Sequence, residues 1–224
     1  MKRAASPRRE ANERNTWIIN EYLDKHVYTQ ENGFSYLERV IDRARQVKGI
    51  DVILRHNGRE YVADEKAASD YINRDHQLAT FSLELAFVNR DNEIMDGWFL
   101  RDDLDNDSYV FVWIDTADMH PISEDKPDIM VLDGVDAIRT GDIAIITKKA
   151  IHDYLDSIGW TPDRLRTKCD KIIESEGDEP MGNVWRNGCK FSYSTHLVEQ
   201  PVNVLIPRTE IIARADFHKT IRSE

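Results

Sequence analysis

Two carboxylates and a lysine stand at a spacing that could support chemistry. Asp51 begins one short β-branched run, and Asp64 and Lys66 stand at the end of the next apolar run. The Asn-Gly pair at positions 57–58 separates the two runs and predicts a tight hairpin turn. Because side chains two residues apart on a strand share a face, Asp64 and Lys66 point together and Glu65 points away. Facing strands lie about 4.8 Å apart, so this register places Asp51 across the hairpin from Asp64.

Such a cluster suits metal-assisted hydrolysis. Two adjacent carboxylates repel each other and raise the pKa of one of them, and a divalent cation removes that repulsion. Oxygen ligands with open water positions suit Mg²⁺ or Mn²⁺, and a metal makes its bound water more acidic. Lys66 could orient that water or stabilise the negative charge that develops at phosphorus. The residue types therefore predict a site for phosphodiester hydrolysis.

The same residues carry a resemblance to a known family. Asp51, followed by Asp64-Glu65-Lys66 at a strand end, resembles the PD-(D/E)XK nuclease superfamily, which has the restriction-endonuclease-like fold. Ile50 stands where the family name has proline, and the resemblance covers about residues 10–115. It implies that Asp51, Asp64 and the backbone carbonyl of Glu65 hold Mg²⁺ or Mn²⁺. It also implies that Lys66 positions the attacking water.

The family usually adds a glutamate from the first helix of its core. Glu13 and Glu38 are the two candidates, and each is also explained as an ordinary solvated charge on a helix. Gln46, five residues before Asp51, could contact substrate or cap a helix. Glu84 is a weaker ligand candidate on a later strand.

Hydrophobic periodicity predicts the elements that position these residues. Phe34, Leu37 and Ile41 have helical spacing, which predicts a second helix over about 34–44 after a first one over about 10–25. The other expected elements are strands at 50–54, 60–66, 80–88, 98–100, 109–114, 191–197 and 202–206, and helices at 147–158, 162–174 and 209–221.

These elements predict one α+β (α/β) domain. It has a restriction-endonuclease-like mixed central sheet flanked by helices, with a C-terminal α/β elaboration. The expected organisation is a flexible basic tail at 1–9, a nuclease-like core at 10–120 and an elaboration at 121–224 packed on the same domain.

Charge is unevenly distributed along the chain. The formal net charge is −11, and residues 91–128 carry 12 Asp/Glu against 2 Lys/Arg. The simplest interpretation of this window is a set of solvated acidic loops. The alternatives are a metal site or a surface that mimics nucleic acid. Because it would repel phosphates, we expect it on the far side or edge of the sheet from Asp64. Phosphate contacts are expected instead from Arg43, Arg45 and Lys48, and from Lys2, Arg3, Arg8 and Arg9 in the tail.

Several other classes of protein are poorly supported. Cys169 and Cys189 form no CxxC pair, which argues against a disulfide scaffold. The seven histidines show no HxH or HxxxH spacing, which argues against a zinc hydrolase. No apolar run approaches the roughly 18 residues that cross a bilayer, so no membrane association is expected and a cytoplasmic location is the default.

The sequence therefore predicts a metal-dependent nuclease, with DNA as the first expected substrate and RNA left open. Its expected partner is nucleic acid, with a homodimer or a protein partner left open. One alternative is a non-catalytic, nuclease-like binding protein whose acidic surface engages a protein partner. Another is a nuclease subunit that depends on a partner for affinity to DNA.

Overall fold

The computed structural model describes residues 7–67, 78–116, 119–127 and 129–222. Its helices are α1 (Pro7–Tyr22), α2 (Arg43–Val47), α3 (Lys148–Ser157), α4 (Pro162–Glu174), α5 (Val184–Asn187) and α6 (Arg208–Arg214). Its strands are β1 (Phe34–Arg39), β2 (Val52–His56), β3 (Arg59–Ala67), β4 (Thr80–Val88), β5 (Ile94–Asp96), β6 (Ser108–Thr116), β7 (Met119–Pro121), β8 (Met130–Leu132), β9 (Ile138–Thr147), β10 (Lys190–Tyr193), β11 (Val202–Pro207) and β12 (Phe217–Arg222).

A mixed sheet forms the middle layer. Its six strands run in the order β1-β2-β3-β6-β9-β12, and β3 and β6 form its parallel pair. A second, antiparallel sheet has the order β10-β11-β4-β5, and β7 and β8 form a separate small ribbon. The expected α+β class, a mixed central sheet flanked by helices, is confirmed.

The central strand β6 is buried on both faces because each face packs on a different layer. Val110 and Val112 face α1 and its π-helical continuation, Leu23–Val27. Tyr109 and Phe111 face the second sheet together with α3 and α4. The main sheet thus lies between α1 and the second sheet. None of the helices among the described residues is long and apolar enough to cross a membrane.

The hairpin and two helices are as predicted. Asn57 and Gly58 both have positive φ, 49° and 82°, which is the backbone of the tight turn that Asn-Gly favours. The prediction of helices at 147–158 and 162–174 is confirmed by α3 and α4, whose N-caps are Thr147 and Thr161.

The predicted helix over 34–44 is wrong, because this segment begins with strand β1. A bulge between Phe34 and Tyr36 inserts an extra residue into the pairing of β1 with β2. Phe34 and Leu37 therefore both pack in the core three residues apart, which imitates helical spacing. Ile41 is exposed and belongs to no apolar face. Glu38 consequently lies on a strand rather than a helix.

Other boundaries also differ from expectation. Residues 98–100 form a turn rather than a strand, and the last predicted helix ends at Arg214, after which β12 pairs with β9. Strand β9 was not predicted. Helix α1 begins at Pro7, so Arg8 and Arg9 are helical rather than part of a flexible tail. Lys2 and Arg3 lie outside the described residues.

Candidate active site

The site lies where β2 begins and β3 continues past it. Val52 pairs with Ala63, and β3 then runs on to Ala67 beside β6. Asp51 prolongs the pairing by one residue: its backbone N–H donates to the carbonyl of Ala63 (2.9 Å). Its Oδ2 then accepts from the backbone N–H of Glu65 (3.0 Å). The carboxylate of Asp51 is therefore fixed on the edge of β3.

The structure brings Asp51, Asp64 and Lys66 together, as the sequence predicts. The Nζ of Lys66 lies 2.8 Å from Oδ2 of Asp64, which is 4% exposed. The pKa of Asp64 is raised to about 7, because burial and the Asp51 carboxylate together outweigh the opposing effect of Lys66. The cluster therefore contains two interacting carboxylates and one ammonium group at the end of an apolar sheet.

An aromatic ring and a third carboxylate flank Lys66. Its Nζ lies 4.8 Å from the ring centroid of Trp98, which is cation–π distance. Gly97, just before Trp98, packs closely on β4, since a Cβ there would lie 2.6 Å from the carbonyl oxygen of Glu84. Burial raises the pKa of Glu84, and Lys66 is among the groups that oppose this shift.

Glu65 points to the opposite face of the sheet, as predicted. The hydroxyl of Tyr28 donates to its Oε1 (2.6 Å), and Arg39 forms an ion pair with its Oε2. Arg39 also bonds Asp24 at 2.7 Å. Because the side chain of Glu65 is occupied there, only its backbone carbonyl remains available as the metal ligand that the resemblance implies.

A cleft opens from Asp51 towards α1. Its volume is about 720 Å³, and its lining residues are Arg8, Arg9, Asn12, Glu13, Thr16, Trp17, Asn20, Arg43, Gln46 and Asp51. Glu13 therefore shares a cleft with Asp51. Glu38 does not line it, because its carboxylate accepts from Arg45 (2.6 Å) and from the hydroxyl of Tyr36 (2.9 Å). Glu13 is itself paired with Arg9, whose Nε donates to its Oε1 (2.8 Å), so the shared cleft alone favours Glu13 over Glu38.

The three predicted phosphate-binding residues are in different situations. Arg43 lines the cleft. Arg45 forms its ion pair with Glu38. Lys48 donates to the backbone carbonyl of Asp103 at 2.9 Å. Arg43 is thus the one whose side chain faces the cleft, and Arg8 and Arg9 join it from α1.

The prediction that the acidic window lies far from Asp64 is wrong for residues 102–107. Asp107 accepts from the backbone N–H of Val62 (3.1 Å), two residues before Asp64, and it leads directly into β6. The backbone N–H of Asp105 donates to the carbonyl of Lys48. This acidic loop borders the site because β6 pairs in parallel with β3, which brings the residues that precede β6 beside Val62.

Sequence reasoning missed Lys148. Burial lowers the pKa of this lysine, and the carboxylates of Asp64 and Asp102 oppose the shift. It is the first residue of α3 and follows the unpredicted strand β9. No local motif marks it, because only the pairing of β9 with β6 brings it near Asp64.

The donor atoms fit a small, hard cation. Within the described ranges, no group of three or more His, Cys, Asp or Glu side chains forms a ready metal cage. Mg²⁺, however, is commonly held by one or two carboxylates and keeps several waters. Asp51, Asp64 and the backbone carbonyl of Glu65 supply oxygen donors of that kind.

The two cysteines offer no competing site. Both are free and buried, and burial raises the pKa of the Cys169 thiol to about 12 and that of Cys189 to about 11. Thiols in such surroundings are poor nucleophiles.

In comparisons with known proteins, no family model matches the chain, no curated protein matches it and no solved structure matches it.

Proposed function

We propose that the protein is a metal-dependent nuclease that hydrolyses phosphodiester bonds, in DNA rather than RNA. The observation that supports this proposal is the convergence of Asp51, Asp64 and Lys66, together with a cleft that Asp51 shares with three arginines. A bound Mg²⁺ or Mn²⁺ would supply charge neutralisation and a more acidic water.

Each residue of the chain has a distinct role in this proposal. Asp51, Asp64 and the backbone carbonyl of Glu65 would hold the cation. Lys66, held by Asp64 and packed against Trp98, directs its ammonium group at the attacked phosphate and stabilises the charge that develops there. Glu13 lines the same cleft and would supply a hydrogen-bonding carboxylate beside a cation held by Asp51.

The order of elements supports the same proposal. The resemblance implies a helix and then a three-stranded meander, with an acidic residue next to one short strand and D/E-x-K on the next strand. The chain has α1 followed by the antiparallel strands β1, β2 and β3, with Asp51 just before β2 and Asp64 on β3.

The acidic loop favours the second candidate, a non-catalytic binding protein. Asp102, Asp103, Asp105 and Asp107 border the cluster, and the whole chain carries a net charge of −11. Such a surface repels phosphates unless cations neutralise it. An acidic face of this kind would instead suit a basic protein partner.

Plasmid cleavage decides between the two. We expect the wild-type protein to nick supercoiled plasmid in Mg²⁺ or Mn²⁺ and not in EDTA, and to act more weakly on an RNA of equal length. Asp64→Asn and Lys66→Met should each reduce the rate by about 10²-fold or more, as loss of charge stabilisation does in other enzymes. The measurement is the initial rate of conversion to open-circular plasmid.

Matched controls come from the exposed ion pair of Lys149 and Asp153 on α3 (2.6 Å). Asp153→Asn and Lys149→Met make the same chemical changes away from the cluster and should leave the rate unchanged. If the wild type leaves plasmid, single-stranded DNA and RNA intact in both metals, or if Asp64→Asn cleaves normally, the nuclease proposal fails and the binding protein takes its place.

A further inference from the structure

The wall of the cleft formed by α1 presents an exposed aromatic ring. Glu13, Trp17 and Asn20 follow one another at spacings of three and four residues, so they lie along one face of the helix and line the cleft together. The side chain of Trp17 is 66% exposed. In the part of the chain that the structure describes, no aromatic ring packs against its indole.

The other groups in the cleft are polar or charged. Arg8, Arg9 and Arg43 outnumber the two carboxylates, and the amides of Asn12, Asn20 and Gln46 are the remaining hydrogen-bonding groups apart from Thr16. Among the described residues that line the cleft, Trp17 alone carries a ring. An indole beside arginines is the combination with which proteins bind the bases and phosphates of a single strand.

We propose that the cleft binds single-stranded nucleic acid, with one unpaired base stacked on Trp17 and the strand leading from there to Asp51. This inference rests on the proposed nuclease function and adds the strandedness of the substrate. In a duplex, the faces of the bases are covered by their neighbours, so a paired base cannot stack on Trp17. The two backbones of a duplex would also bring more phosphates to the acidic loop at 102–107.

Binding by short oligonucleotides tests the proposal without catalysis. The assay uses fluorescence anisotropy with oligo(dT) or oligo(rU) in EDTA, on the full chain carrying Asp64→Asn so that the strand stays intact. We expect Trp17→Ala to weaken binding about 5- to 150-fold, which is the range that loss of one stacked base produces. Trp17→Phe should retain most of the affinity. Comparing the affinities for oligo(dT) and oligo(rU) shows whether the cleft prefers DNA or RNA.

Two controls separate stacking from other effects. Trp185→Ala removes another exposed tryptophan, 69% exposed and on α5, and should leave affinity unchanged. An abasic oligonucleotide keeps the phosphates and lacks the bases, so Trp17→Ala should not alter its binding. The inference is overturned if Trp17→Ala binds oligo(dT) and oligo(rU) as tightly as the parent, or if it loses equal affinity for the abasic strand or for a duplex.

This outcome is distinguishable from failure of the nuclease proposal. Plasmid cleavage that persists alongside a Trp17→Ala variant with unchanged single-strand binding leaves the nuclease standing and removes the stacking site. Base-dependent binding at Trp17 without cleavage of any substrate supports the stacking site and removes the catalytic role.

Discussion

Two buried aspartates on the same face of the main sheet, Asp142 and Asp64, have pKa values shifted in opposite directions. Burial would raise the pKa of Asp142, but hydrogen bonds from Thr220 and Arg208, with further help from His218, lower it overall. Burial likewise raises the pKa of Asp64, but here its one cationic partner, Lys66, does not offset the shift, to which the carboxylate of Asp51 adds. A structural carboxylate is satisfied by its neighbours, whereas Asp64 is left with charge that a cation would neutralise.

The raised pKa of Asp64 predicts a pH-dependent stability. Its unfolded pKa is about 3.9. Because the folded pKa is higher, about 7, the group favours folding at low pH and this contribution is lost as the pH rises through 7. In EDTA, we expect the stability of the wild type relative to Asp64→Asn to fall by up to about 1.4 kcal/mol per pH unit between about pH 4 and pH 7. Urea denaturation measures the difference.

Added Mg²⁺ tests whether a cation relieves the destabilisation caused by ionised Asp64. Since the cation replaces the missing positive charge, it should raise the melting midpoint of the wild type at about pH 8 and leave that of Asp64→Asn nearly unchanged. If the stability difference does not change with pH, or if Mg²⁺ raises both melting midpoints equally, then Asp64 has no raised pKa and no part in binding the cation.

At the scale of elements, the sequence predicts what short-range geometry determines. Asp51, Asp64 and Lys66 belong to one hairpin, and its Asn-Gly turn and alternating apolar residues set their register. Strand β1 was mistaken for a helix because its bulge alters the spacing of apolar residues. Strand β9 was missed because a strand buried on both faces shows no alternation.

The rest of the site depends on contacts between distant segments. Trp98 reaches Lys66 through the turn after β5, and Lys148 reaches Asp64 through the pairing of β9 with β6. No local sequence pattern marks residues that meet only through contacts between distant segments, and none marks the parallel pairing of β6 with β3. The acidic loop at 102–107 was misplaced for the same reason.

The end of β3 is anchored from the face opposite the cluster. Glu65 lies between Asp64 and Lys66 and is held by Arg39 and Tyr28. Its side chain is 6% exposed, so removing one partner leaves a buried charge unpaired. We expect Arg39→Met to lower the free energy of unfolding by about 3–5 kcal/mol, the usual result of breaking a buried ion pair. Urea denaturation at neutral pH measures this loss.

An exposed pair on the neighbouring strands provides the control for Arg39→Met. Arg55 and Glu60 lie 2.9 Å apart with side chains 49% and 52% exposed. Arg55→Met makes the same change in side chain and should cost only about 0–1 kcal/mol. Equal losses for the two variants would show that the pair of Arg39 and Glu65 does not anchor the strand end.

At the scale of the whole molecule, the topology places charges of opposite sign around one cluster. The arginines of α1 and α2 line the cleft on one side of Asp51. The loop at 102–107 borders the cluster at the start of β6. Under the proposed function, a nucleic acid strand that reached Asp64 would be attracted along the cleft and repelled at the loop, and a single strand would bring fewer phosphates to the loop than a duplex would.

Removing one charge from the acidic loop tests this arrangement. Asp102 is 97% exposed, and its carboxylate acts on Lys148, as does that of Asp64. Asp102→Asn should therefore strengthen the binding of single-stranded oligonucleotides about two-fold at low salt, the effect of one charge several ångströms from a phosphate in water. The gain should vanish at about 1 M salt, where the Debye length falls to about 3 Å. Asp91→Asn, in the turn between β4 and β5 of the same acidic window, is the matched control and should have no effect. If both variants gain equally, only net charge matters, and the acidic loop has no particular position relative to the bound strand.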